Sequence, residues 1–99
     1  MNIPWTPQNI ITDRSKSLRA LSELPVKKRA LVRALCGGKG FASRMGTLGF
    51  VPGSIVTMMQ NYGRGPVLVL VKNVRVALGR GEARKVLVEQ LPEEQGKND

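Results

Sequence analysis

Apolar and polar positions alternate along much of the chain between residues 28 and 91, and short turn signals break the pattern at intervals. Over residues 28–36, Arg29, Leu31, Arg33 and Leu35 share one parity, and Ala30, Val32 and Ala34 share the other. That period of two predicts a strand with small residues on one side. Gly37, Gly38 and Gly40 then read as a flexible connection. Phe41, Met45 and Leu48 are spaced as one stripe of a helix over 41–48. Gly49 follows that stripe, where a left-handed C-terminal cap wants glycine. Pro52-Gly53 is a turn pair. Further strands are predicted over 54–61, 66–72, 74–78 and 86–91, with residues 61–65 as a hairpin loop, Asn73 in a tight turn and 79–85 as a short turn or helical link. Val32, Val56, Met58, Val69, Val76 and Val86 are the expected inward set. Five strands and one short helix in so few residues predict a small closed or partly open β-barrel, because closure hides sheet edges.

The flanks read differently. Residues 1–20 look like an N-terminal extension, with Pro4, Pro7 and a polar run breaking any period. Trp5 either covers one end of the barrel or is exposed. Ile10, Ile11, Leu18 and Leu21 would give a thin apolar face to a short basic helix, which argues against a membrane-surface segment. Residues 21–91 form the expected folded unit and 92–99 a polar tail. No charged start followed by an apolar block marks a secretory signal, so the expected location is cytoplasmic.

Charge changes the picture more than size does. The chain of 99 residues carries a net charge of +9. Fifteen basic and three acidic residues precede Val86, whereas one lysine faces four acidic groups from there on. A basic body attracts an anionic partner: nucleic acid, a membrane surface or an acidic protein face.

The chemistry available is narrow. With no histidine and one cysteine, Ser-His and Cys-His pairs are excluded, as is a Cys/His metal cage. The carboxylates sit mostly at element ends and in the tails, and the adjacent Glu93 and Glu94 read as solvated. Cys36 reads as a small buried hydrophobe, and Met45, Met58 and Met59 as core. The Gly37–Gly40 run lacks the spacing of a phosphate-binding loop. We therefore expect no catalytic residues, no metal ligands and no cofactor. The cations beside the 79–85 turn read either as a solvated face or as a patch for an acidic partner.

The string "RMGTLGFVPG" at 44–53 resembles the signature of the FeoA family, Arg-Leu-x-x-Leu-Gly-Leu-x-Pro-Gly. Arg44, Leu48, Gly49, Pro52 and Gly53 match directly, while Met45 and Phe50 stand for leucines. "LSELP" at 21–25, Gly65-Pro66, "VRVAL" at 74–78 and "GEARKVLVE" at 81–89 follow in the family's order. The family's glycines after "LP-V" and before the fourth strand are here Lys27 and Asn73, and its arginine after Ala-Leu is Gly79, with Arg80 next to it. The resemblance implies a five-stranded SH3-like barrel and a non-enzymatic, cytoplasmic accessory protein of bacterial ferrous iron uptake. It implies binding to FeoB, the membrane transporter, through its cytoplasmic GTPase domain or membrane-proximal face. Peripheral association with the inner membrane and a weak homo-oligomer stay open. On parity and turn placement, the residues expected at the partner are Arg44, Arg75, Arg80, Arg84 and Lys85. The alternative is a small basic nucleic-acid-binding or transcription-regulatory module. It is disfavoured because single-strand binders stack bases on exposed aromatics, and Phe41 and Phe50 look buried.

Overall fold

The computed structural model describes residues 18–93. Trp5, Ile10, Ile11 and the end of the acidic tail lie outside the described residues. Six strands run in the order β1 (Leu18–Ala20), β2 (Arg29–Leu35), β3 (Ile55–Gln60), β4 (Val67–Val71), β5 (Val74–Leu78) and β6 (Val86–Gln90). A 3-10 turn covers Leu21–Glu23, helix α1 covers Gly38–Thr47 and helix α2 covers Arg80–Arg84.

The strands form one antiparallel sheet in the order β1-β6-β2-β3-β4-β5. This corrects the expected five-stranded SH3-like barrel with a single helix. The reason lies at Leu18–Ala20. That segment pairs with β6, placing Leu18 opposite Glu89 and Ala20 opposite Leu87. With β2 on its other side, β6 is not available to β5, and β1 and β5 stand unpaired with each other at the two ends of an open sheet. Leu18 lies in β1 and Leu21 in the 3-10 turn, not on a helix.

Alternation sets the core. Ala30, Val32, Val56, Met58, Val67, Val69, Val71, Val86 and Val88 are buried along one face, and Val76 packs against them. Leu21 and Leu24 from the 3-10 turn, Phe41 and Met45 from α1, and Ala83 from α2 complete the cluster. Two bulges adjust the register. Val32 pairs with Val88 but Ala34 with Leu87, so Arg33 is the extra residue in β2. That single insertion reverses the parity, and Leu35, not Ala34, packs against the core. Cys36 consequently turns outward and is exposed, contrary to the buried position expected of it. A second bulge at Met59 separates the Met58–Val69 and Gln60–Leu68 pairs, leaving Met59 half-buried while Met45 and Met58 are fully enclosed.

The end of α1 explains the signature string. Gly49 has φ +102°. Its N–H donates to Gly46 O at 3.0 Å and the Phe50 N–H donates to Met45 O at 2.9 Å. This is a Schellman termination, and Met45 and Phe50, the two positions that such a turn brings together, both belong to the core cluster. Both are fully buried. Leu48, expected on the buried stripe, is the cap residue and is 40 % exposed, because Phe50 fills the core beyond the turn. Ser54 fastens the following turn: its hydroxyl donates to Gly49 O at 2.9 Å and accepts from the Val51 N–H at 3.3 Å.

Candidate functional site: a basic face over the two helices

α1 and α2 meet at one ion pair. Arg44 Nη2 lies 2.9 Å from Glu82 Oε2, and the other carboxylate oxygen of Glu82 accepts the Gly79 N–H that opens α2. Glu82 therefore joins the helices and caps one of them. The Arg44 hydrogen bond, reinforced by the Gly79 N–H and the charge of Lys85, holds its carboxyl below the usual carboxylate range, although partial burial opposes this. Arg44 and Lys85 also flank the Phe41 ring, at 5.6 and 5.4 Å from its centroid. Both cations are exposed, as is Arg84 on the last turn of α2. Sequence distance separates Arg44 from Lys85, and the shared Phe41 ring brings them onto one surface, whereas Arg84 lies on the side of α2 that faces the 3-10 turn, near Ser22, Glu23 and Arg80.

Arg80 occupies a different environment. Its Nε donates to Gly65 O at 2.9 Å, Nη1 to Ser22 O at 3.1 Å and Nη2 to Asn61 Oδ1 at 2.8 Å. Asn61 completes the knot by donating through Nδ2 to Ser22 O and Leu24 O, and by accepting the Gly63 N–H. Arg80 thus ties the 3-10 turn, the 61–65 loop and the start of α2 together. Sequence reading passed over Asn61. Its one signal was an asparagine two residues before a glycine, the spacing of an Asx turn. Arg75 is exposed on β5, opposite Leu70, on the sheet's outer face as parity predicts.

What the face can do is bind charge. Among the described residues no group of three or more histidine, cysteine, aspartate or glutamate side chains converges on a metal-sized site. Phe41 and Phe50 are buried, so Tyr62, 77 % exposed, is the aromatic side chain left for stacking among the described residues.

The family model described as the FeoA domain matches residues 19–90. A curated relative from Methanocaldococcus jannaschii, carrying the provisional name Fe(2+) transport protein A, is 32 % identical over 62 residues, covering 63 % of this chain and 74 % of its own. The crystal structure of an iron uptake regulatory protein, FeoA, superposes with a TM-score of 0.72 at 28 % identity, over 75 % of this chain and 99 % of that one. The zinc complex of Stenotrophomonas maltophilia FeoA is 36 % identical, with a TM-score of 0.64 over 73 % of this chain and 94 % of that one.

Proposed function

Because this chain belongs to the FeoA family, we propose that it serves ferrous iron uptake by docking its two-helix basic face on the cytoplasmic part of a FeoB-type transporter. As a member of that family it is a non-catalytic accessory protein of ferrous iron uptake, and iron is the system's cargo. The observation that carries the docking reading is the convergence of Arg44 and Lys85 on the Phe41 ring, beside the Arg44–Glu82 pair that joins the helices, with Arg84 exposed on the neighbouring side of α2. Charge on a rigid two-helix platform steers encounter with an acidic surface and fixes its orientation. Arg80 serves this face from beneath, by holding α2 in place, and Arg75 offers a second contact at the sheet edge. In this reading the protein works in the cytoplasm, brought to the inner membrane by the transporter.

The test is a titration of the purified chain against the transporter's isolated cytoplasmic region at two salt concentrations. The parent should bind, with affinity falling as salt screens the charges. Reversing Arg84 and Lys85 to glutamate should weaken association mainly through a slower on-rate and flatten the salt dependence. Equal binding of parent and variant at both salts would reduce this face to a solvated surface. Tight, steeply salt-dependent binding to random nucleic acid, with the transporter region ignored, would replace the reading altogether.

A further inference from the structure

The β4–β5 hairpin leaves one sheet edge open. Lys72 and Asn73 form its two-residue turn with φ of 51° and 66°, the pair of positive values that a type I′ hairpin requires. Val71 and Val74 close that turn as partners, followed by Leu70–Arg75, Val69–Val76, Leu68–Ala77 and Val67–Leu78. Hydrogen-bonded pairs alternate along an antiparallel ladder, starting from the closing pair. Val74, Val76 and Leu78 therefore direct their N–H and C=O groups to β4. Those of Arg75 and Ala77 point away from the sheet, and both residues are exposed. Among the described strands β5 pairs with β4 alone. Val74 adds a side chain 57 % exposed on the other face of the same strand.

The charge around this edge has one sign. From residue 24 to residue 81 the chain contains no acidic residue, and the loops and hairpin over 61–81 carry Arg64, Lys72, Arg75 and Arg80. A second copy of this chain is a poor occupant. Two β5 strands meeting edge to edge would bring Arg75 directly or diagonally against its own duplicate, a like-charge pairing that opposes association.

We propose that the β5 edge is a docking strand for an extended acidic segment of a partner protein, which adds as a seventh strand by hydrogen bonding to the backbones of Arg75 and Ala77. Strand addition gives affinity through main-chain bonds and selectivity through alternate side chains. On this edge the alternation is explicit. Partner residues on the Arg75 side of the sheet are acidic, and those on the Val74 and Val76 side are apolar. The inference does not depend on which protein the two-helix face meets.

The probe is a blocked eight-residue peptide of alternating valine and glutamate, with the valine–lysine analogue as its charge control. Both are followed by amide exchange and two-dimensional NMR on the full chain. The valine–glutamate peptide should slow exchange at the amides of Arg75 and Ala77, and the lysine analogue should not. Ala77→Pro removes an outward-facing N–H at an edge position that tolerates proline. It should keep the parent melting temperature and weaken the peptide by about threefold to tenfold, as expected when one main-chain hydrogen bond is lost. If that variant fails to fold, Arg75→Glu decides the matter by inverting the preference toward the lysine analogue. Unchanged exchange at Arg75 and Ala77 while the peptide binds elsewhere would overturn the proposal. So would undiminished peptide binding by a folded Ala77→Pro protein. Protection of these amides that rises with protein concentration alone would make a second copy the occupant, and would overturn it too.

Discussion

Gly49 and Arg80 show how differently single residues are fixed in this protein. At Gly49 the backbone is the constraint: φ is +102°, and an added Cβ would stand 3.4 Å from Val71 Cγ2. A β-branched side chain there combines left-handed strain with crowding against β4, so Gly49→Val should destabilise by about 2 kcal/mol or more. Thermal melts of the two forms check this, and an unchanged midpoint would mean that the turn repacks without strain. Arg80 is fixed by its acceptors. Removing its guanidinium leaves Ser22 O, Gly65 O and Asn61 Oδ1 without that donor. Arg80→Ala should therefore cost about 2 kcal/mol, since hydrogen bonds to charged groups are worth more than neutral ones. Arg84→Glu, on an exposed position, should leave the melt nearly unchanged. The sequence presented these two arginines as equivalents, four residues apart beside one turn. Only the fold distinguishes them, because the carbonyls that engage Arg80 come from residues 22 and 65. Lys27 carries the same lesson in the backbone. It takes φ +74° where the resembling family has glycine, held by its N–H donating to Met58 O at 2.7 Å.

At the level of elements, the two helices are coupled through Glu82, and that coupling depends on pH. Its carboxyl is held below the usual range, chiefly by Arg44. A depressed folded-state value means stability that is present above the unfolded carboxyl's range and is lost as pH falls through the folded value. Comparing melts of the parent and Glu82→Gln across pH isolates this contribution. The parent should be the more stable at neutral pH and the difference should shrink on acidification. A gap that widened toward acid would reverse the assigned cause. The pair is partly exposed, so the gap should also narrow in salt. Much of the element pattern was legible in the sequence. The five expected strands overlap β2 to β6, and the caps around Gly49 and Asn73 carry the positive φ that their residue types suggested. Two features were hidden for physical reasons. A bulge obeys no period, so the reversal at Arg33 and the exposure of Cys36 could not be read from parity. A three-residue strand at Leu18–Ala20 is too short to show alternation.

On the scale of the whole molecule, those three residues add the sixth strand to the sheet. They cover the edge of β6 and become one end of the open sheet, with β5 at the other end. The chain then presents two distinct basic features: the two-helix face, with Arg44 and Lys85 at the Phe41 ring and Arg84 exposed on the adjoining side of α2, and the Arg75 strand edge. Neither is a catalytic constellation, and both suit recognition of acidic surfaces. The partner residues expected from sequence were chosen by exposure and charge, which identify candidates but do not group them in space. Grouping came from contacts that no spacing encodes, such as Lys85 over the Phe41 ring. The most direct measurement of the central claim is ferrous iron uptake by cells that retain the transporter but lack this chain. The account predicts that uptake falls without the chain, recovers with the parent sequence, and does not recover with a folded protein in which Arg84 and Lys85 are reversed to glutamate. Uptake that is the same with and without the chain would contradict it.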